Sequence, residues 1–319
     1  MLNFIYWPIS AVLWFWHKIF AFPFGADSAW SWIFAIMFLT FTLRLLLLKP
    51  MINQMRSSMK MQKMAPRMRE IQAKYKNDQQ KLMEETRKLQ KEMGVNPLLG
   101  CLPALAQLPV FIGLFHVLRS FNRTGEGTGQ LGMSPEQNRM TPNYIFGVDD
   151  VQSFLDANIF GVPLSAFISM PKEMYAAFPT ATELSQGRIF MVAAPLIAII
   201  AFATHMNARL SVERMNRRRE EGKTQAASGE MAEMQQQMMS KMMMWVMPFT
   251  ILITGAFWHI GLLVYMMSNN IWTFFQQRYI FKKIDAEEDA EIEQKKAAQR
   301  STAPKPGVKP NNPKKKKKK

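Results

Sequence analysis

The feature that most constrains this chain is the placing of its charges. From Trp30 to Leu48, nineteen consecutive positions carry one charged side chain, Arg44, before Lys49-Pro50 close the run. A helix of that length rises about 28 Å, enough to cross the roughly 30 Å hydrocarbon layer of a bilayer. Four further apolar blocks follow at about 99–118, 189–206, 242–258 and 260–277, the last two separated only by His259. Chain-wide averages conceal them. Mean hydropathy is −0.10 and formal net charge is +16, because the charged residues gather between the blocks. The sequence predicts an all-α polytopic membrane protein with a five-transmembrane-helix core.

The intervening segments differ in kind. Residues 51–97 are polar and Met-rich. Met61, Met64, Met68, Ile71 and Tyr75 step by three and four, as do Leu82, Thr86, Leu89 and Met93, so each set lies along one helix stripe. Asn77-Asp78 supplies a turn, and Gly94 with Asn96-Pro97 a stop. An antiparallel helical hairpin is expected, its stripes packed between the arms and its first arm kinked or split at Pro66. Partner contact through the adaptable Met side chains is the minority reading. Residues 119–187 are mixed. Within them 154–170 is apolar but broken by Asp156, Gly161 and Pro163, which suits an interfacial or re-entrant piece.

Residues 1–29 contain a run, Phe4–Phe24, long enough to span. Its Trp residues and internal His17-Lys18 also suit a helix lying in the interface, the reading favoured here. A secretory signal would place charge before the run and a small-residue cleavage site after it, and neither is seen. Residues 281–319 are charged and end in six consecutive Lys, a composition expected to stay largely disordered.

Lys and Arg in the loops orient membrane helices. Their number is eleven in 51–97, four in 119–187, seven in 207–241 and fourteen in 278–319. The expected topology puts the 51–97 hairpin, the 207–241 loop and the C-terminal tail in the cytoplasm, and 119–187 outside.

Common enzyme chemistry finds little support. One Cys precludes an intrachain disulfide or a cysteine metal site, and His17, His116, His205 and His259 lack ligand spacing. HExxH, GxxxxGK and GxGxxG are absent. No enzymatic reaction, cofactor or metal is expected. Leu98-Leu-Gly-Cys101 looks like a lipoprotein cleavage box, but in mid-chain it reads as a small residue at the entrance of a span. Arg44 is a functional hypothesis by default, since a charge at a helix centre costs about 2.5–3.5 kcal/mol on insertion scales. Snorkelling competes with that reading, because Lys49 is only about 7.5 Å further along the helix. Gln107, Asn269 and Asn270, with Gln276 and Gln277, either bridge helices or line a wet cavity with Arg44. Lys314, Lys315, Lys316, Lys317, Lys318 and Lys319 form a solubilising tail, an anionic-lipid anchor or a contact for ribosomal RNA phosphates.

Several motifs recur in order. Arg44 stands near the end of the first block. A charged hairpin leads into Gly94-Val-Asn-Pro-Leu-Leu-Gly-Cys-Leu-Pro103 and Gln107-Leu-Pro-Val-Phe111. Later come Met242-Met-Met-Trp-Val-Met-Pro248, Gly261-Leu-Leu-Val-Tyr265, Asn269-Asn270 and Gln276-Gln277. Over about residues 30–280 the chain resembles the YidC/Oxa/Alb family of membrane protein insertases. Trp7-Pro-Ile-Ser and Leu13-Trp-Phe-Trp-His-Lys18 look most like its actinobacterial members. Met266 stands where the family often has an aromatic residue, and Trp258-His259 where a Pro-containing turn is common.

The resemblance implies a polar groove open to cytoplasm and lipid and closed on the outer side. Arg44 matches the family's groove arginine, implied to attract acidic residues of a client, and Gln107 and Tyr265 match groove or client-contact positions. Asn269 and Asn270 join them as candidate groove residues. Implied partners are nascent membrane proteins, the Sec translocon, the ribosome through the basic tail, and anionic lipids, but not DNA. Insertion would proceed without nucleotide hydrolysis.

Two other classes compete. A small transporter or channel predicts polar residues through the full membrane depth and often repeated halves, whereas here polar groups cluster to one side and no repeat is evident. A membrane-anchored ribosome-binding scaffold would act through its basic tail alone, and a tail-less variant that still inserts a short test protein separates it from an insertase.

Overall fold

The computed structural model describes residues 2–94, 98–124, 132–180, 182–223 and 230–302. Lys314–Lys319 and the Asn96-Pro97 stop lie outside them. In chain order the elements are α1 (Asn3–Phe24), α2 (Ala29–Leu46), α3 (Leu48–Lys74), α4 (Gln79–Glu92), α5 (Leu98–Arg119), α6 (Pro135–Arg139) and α7 (Val148–Asp156). Two short antiparallel strands follow, β1 (Asn158–Ile159) and β2 (Val162–Pro163), then α8 (Gln186–Glu220), α9 (Glu230–Lys241), a π-turn (Met242–Val246), α10 (Met247–Thr254) and α11 (Ile260–Thr302). The protein is an all-α polytopic membrane protein. Helix is the form that long apolar segments take in lipid, since it satisfies every backbone polar group within the segment.

Three helical stretches among the described residues are long and apolar enough to cross a membrane by length and composition: Ala29–Leu46, Gln186–Glu220 and Met234–Phe257. Gln107–Arg119 forms a shorter apolar helix. Their outer faces carry exposed large apolar side chains, among them Phe190, Met191, Ile199 and Phe202 on α8 and Phe249, Leu252 and Ile253 on α10. In water such surfaces would drive association; against lipid they need no cover.

The chain divides into two compact units after Phe275. The second unit begins at Gln276 and includes the remainder of α11, where Lys295 pairs with Glu291 one turn earlier (2.6 Å).

In the first unit, the core is built where α2, α5 and the start of α11 meet. Trp32, Ile36 and Leu39 on α2, Leu114 and Leu118 on α5, and Leu262 and Leu263 on α11 are fully buried. Over them sits a cap folded from the described residues 119–124, 132–180 and 182–187. Phe121, Phe146 and Phe154 surround the Trp32 ring, and Trp32 Nε1 donates to Ser153 Oγ (3.0 Å). Arg139 and Asp156 close the cap with two parallel bonds (2.7 and 2.9 Å), and the carboxylate raises the already high pKa of that arginine.

Helix α1 packs against both α2 and α5. Its first turn stacks on the last turn of α5 (Tyr6 on His116, 4.1 Å), and its last turn on the second turn of α2 (Phe24 on Phe34, 5.2 Å). Trp32 against Phe121 shows that α2 begins at the same end where α5 finishes. The second half of α1 runs back along α2, with Phe20 against Phe34 and Phe38 (5.5 and 5.0 Å), Trp16 against Phe38 (4.9 Å), and Trp16 Nε1 donating to Thr42 Oγ1 (3.0 Å). Gly113 on α5 allows the close approach, since a Cβ there would collide with Ile9 and with Ile5. One face of α1 is buried (Ile9, Ser10, Leu13, His17), and the other exposes Phe4, Trp7, Phe15 and Phe22.

At the opposite end, α3 and α4 form an antiparallel hairpin. Met64 and Leu89 are buried on their stripes, and Thr86 Oγ1 donates to the Met68 sulfur across the arms (3.4 Å). Helix α3 continues through Pro66 as one element.

Candidate functional site

The polar residues of the apolar blocks meet where the last turn of α2 faces α5 and α11. Arg44 donates through both Nε (2.9 Å) and Nη2 to the amide oxygen of Asn269. Beside them, Gln107 Nε2 donates to the Tyr265 hydroxyl (2.6 Å). Helix periodicity explains the set: Tyr265 and Asn269 are one turn apart on α11 and share a face. Thr40 and Arg44 are likewise one turn apart on α2. Together with Leu43, Leu47 and Val110 these residues line a small, partly open recess of about 10 Å³, room for roughly one water molecule.

The electrostatics of the recess are lopsided. Arg44 is half-buried, and its hydrogen-bond partner is a neutral amide. Among the described residues it has no ion-pair partner. Tyr265 is 2% exposed. A cation held this way retains most of its capacity to attract a carboxylate, and in low dielectric that attraction is strong.

Towards the cap the recess is shut. Phe111 lies against Tyr265 (6.3 Å) and edge-on to Trp258 (5.6 Å). The turn between α10 and α11 is bonded to the cap: Gly261 N donates to Leu164 O (2.8 Å), Ile260 N to Ala166 O (3.0 Å) and Ser169 N to Ala256 O (3.0 Å). Away from the cap, Leu45 and Leu46 at the end of α2 are 60% and 71% exposed.

Of the residues singled out in the sequence, Arg44, Gln107, Tyr265 and Asn269 come together around this recess. Asn270 does not join them. One helix position rotates a side chain by about 100°, and Asn270 faces α8, where its amide oxygen accepts from Thr204 Oγ1 (3.1 Å) and Asn207 Nδ2 (3.2 Å). Its own Nδ2 donates to Met266 O (3.0 Å). The run Lys314–Lys319 lies outside the described residues.

Two polar arrangements had escaped the sequence reading. Asp150, 7% exposed in the cap, accepts from Lys18 Nζ (2.6 Å) and Trp14 Nε1 (3.2 Å) and so pins α1. No local signal announces that pair. His205 Nδ1 lies 2.7 Å from Met244 O, and here a signal did exist: Pro248 lacks the N–H that would have served the carbonyl four residues earlier.

Comparisons with known proteins agree with one another. The family model described as "60Kd inner membrane protein" matches residues 24–288. A protein of Mycobacterium tuberculosis named membrane protein insertase YidC is 41% identical over 309 residues, covering 97% of this chain and 80% of its own length. Proteins of the same name from Mycolicibacterium paratuberculosis and Mycobacterium leprae are each 42% identical, covering 97% of this chain and 83% and 77% of their own lengths.

Proposed function

Since the chain belongs to the 60Kd inner membrane protein family, that of the YidC insertases, and is a membrane protein insertase embedded in a bacterial membrane, we propose that the Arg44 recess is where it receives its clients. One observation carries this reading: a half-buried arginine inside an apolar block whose partner in the structure is a neutral amide. A structural cation buried for stability would ordinarily be matched by a carboxylate. Arg44 is left for a charge that arrives from elsewhere.

The mechanism follows from the geometry. A nascent membrane protein brings a short polar segment into the recess from the hairpin end, while its apolar helix lies along exposed apolar faces such as that of α10. An acidic residue in the polar segment is attracted by Arg44. The recess shortens the dry distance that segment must cross, and burial of the client's helix in lipid supplies the driving force. No step forms or breaks a covalent bond or requires nucleotide hydrolysis. Gln107 and Tyr265 form the polar wall, and Asn270 sets the rotation of α11 by its bonds to α8.

The charge pattern supports five spans, with the hairpin, the 207–241 loop and the C-terminus in the cytoplasm and the cap outside. The exposed aromatic face of α1 (Phe4, Trp7, Phe15 and Phe22) and the tie of Lys18 to the cap support its lying in the outer interface. The tail lysines Lys314–Lys319 are proposed contacts for ribosomal RNA phosphates or anionic lipids, and the Sec translocon is a proposed partner.

A photocrosslinking residue at Leu47, which lines the recess and leaves Arg44 intact, tests the reading with stalled nascent chains. Crosslinks to the client's acidic segment that weaken in an Arg44→Ala background are expected. Equal crosslinking in both backgrounds would overturn it.

A further inference from the structure

Arg44 does not stand open in its recess. The Nε–Nη2 edge of a guanidinium is one that grips a carboxylate with two parallel bonds. Here both groups on that edge converge on a single neutral oxygen, Asn269 Oδ1. One amide oxygen serves two N–H donors less well than the two oxygens of a carboxylate, and it carries no net charge to offset the cation. The bond also spans two helices, so that breaking it frees one face of the recess without disturbing the backbone of either helix.

We propose that Asn269 is the resting ligand of Arg44, a placeholder that an incoming acidic residue displaces. This deepens the client-recess reading and rests on it. Its consequence is selectivity. A client gains only the difference between its own bond to Arg44 and the amide's, because a ligand shifts an equilibrium by its differential affinity. A carboxylate gains by the exchange. A serine or asparagine in the client does not, since it offers Arg44 nothing that Asn269 lacks. The neighbouring residue completes the device: Asn270 holds α11 to α8 through Thr204 and Asn207, so α11 retains its anchor when Asn269 lets go.

Substitutions at 269 separate this from a plain helix–helix tether. Asn269→Asp places an internal carboxylate against Arg44 and should act as a permanent decoy. Asn269→Ala removes the placeholder and leaves the cation free. The measurement is the ratio of insertion of an acidic client to that of its neutral twin, in cells expressing equal amounts of each variant. For Asn269→Asp the ratio should fall about tenfold, towards that of Arg44→Ala. For Asn269→Ala it should rise above the wild-type value. A tether predicts instead that both substitutions lower insertion of both clients alike, and that result would overturn the proposal. If Asn269→Asp fails to accumulate, Asn269→Ala alone decides, since the placeholder raises its ratio above the wild-type value and a tether leaves the ratio unchanged while lowering insertion of both clients. Arg44→Ala is measured alongside. If its ratio equals the wild type's, the recess reading itself fails. If its ratio drops while the Asn269 variants leave theirs at the wild-type value, only the placeholder role fails.

Discussion

Pro248 removes a backbone donor from its own helix, and a residue from another helix takes its place. Around it the backbone widens into a π-turn, with Met247 N bonding to Met242 O, a common adjustment where the α ladder is interrupted. The carbonyl of Met244 then accepts from His205 on α8 (2.7 Å), whose ring packs beside Trp245 (4.8 Å). His205→Ala would leave that carbonyl without its side-chain donor, at about 1–3 kcal/mol. His205→Gln keeps an N–H donor and should retain most of the stability. Thermal unfolding in detergent distinguishes them. Equal losses in both variants would mean that ring packing, not the hydrogen bond, holds α8 to α10.

At the scale of elements, the hairpin shows what a sequence can and cannot display. The spacing of Met61, Met64 and Met68 and of Leu82, Thr86 and Leu89 was legible because helix periodicity is a local property. So was the turn between the arms, where Asp78 accepts from the Lys81 backbone N–H (3.0 Å) and caps α4. That bond holds the Asp78 carboxyl below the ordinary carboxylate pKa. A depressed acid contributes stability above its unfolded pKa and loses it as pH falls through the folded one. Amide exchange in the first turn of α4 should therefore accelerate as pH falls below the unfolded Asp value of about 3.9, beyond the intrinsic dependence. In Asp78→Asn, whose cap does not titrate, that acceleration should be absent; an identical acid response in both would exclude Asp78 as its source. The cap over the core was not legible. Lys18 meets Asp150 across 132 positions and Trp32 meets Ser153 across 121, and no local pattern encodes such pairs. The site divides the same way. Arg44 and Asn269 stood out singly as polar residues in apolar blocks. That they bond to each other across 225 positions, while Asn270 turns to α8, depends on helix rotations fixed by tertiary packing.

Within Met1–Phe275 the cap closes one end of the core and the hairpin stands at the other, with the recess between them, and the proposed orientation rests on loop charge. Single cysteines in a Cys101→Ser background test that orientation with an impermeant thiol reagent. Asp150 cannot report, being buried under Lys18 and Trp14. Phe160, 91% exposed at the β1–β2 turn, and Asn77, exposed at the hairpin tip, can. Labelling of Phe160→Cys on intact cells, and of Asn77→Cys only after lysis, is expected; the reverse pattern would invert the topology. The charge of Arg44, within its recess, is proposed to draw acidic client segments inward. Arg44→Lys keeps the charge and should retain most activity. Arg44→Ala should impair insertion, and Arg44→Glu more so, because an acidic segment would meet repulsion in a low-dielectric cavity. An arginine that merely anchors the end of α2 at the interface predicts normal function for Arg44→Ala. The most direct measurement is in vivo insertion of a matched pair of clients, acidic and neutral, by these four proteins at equal expression. The expected order for the acidic client is wild type, then Lys, Ala and Glu, with the neutral client affected far less; equal insertion of the acidic client by wild type, Arg44→Ala and Arg44→Glu would contradict it.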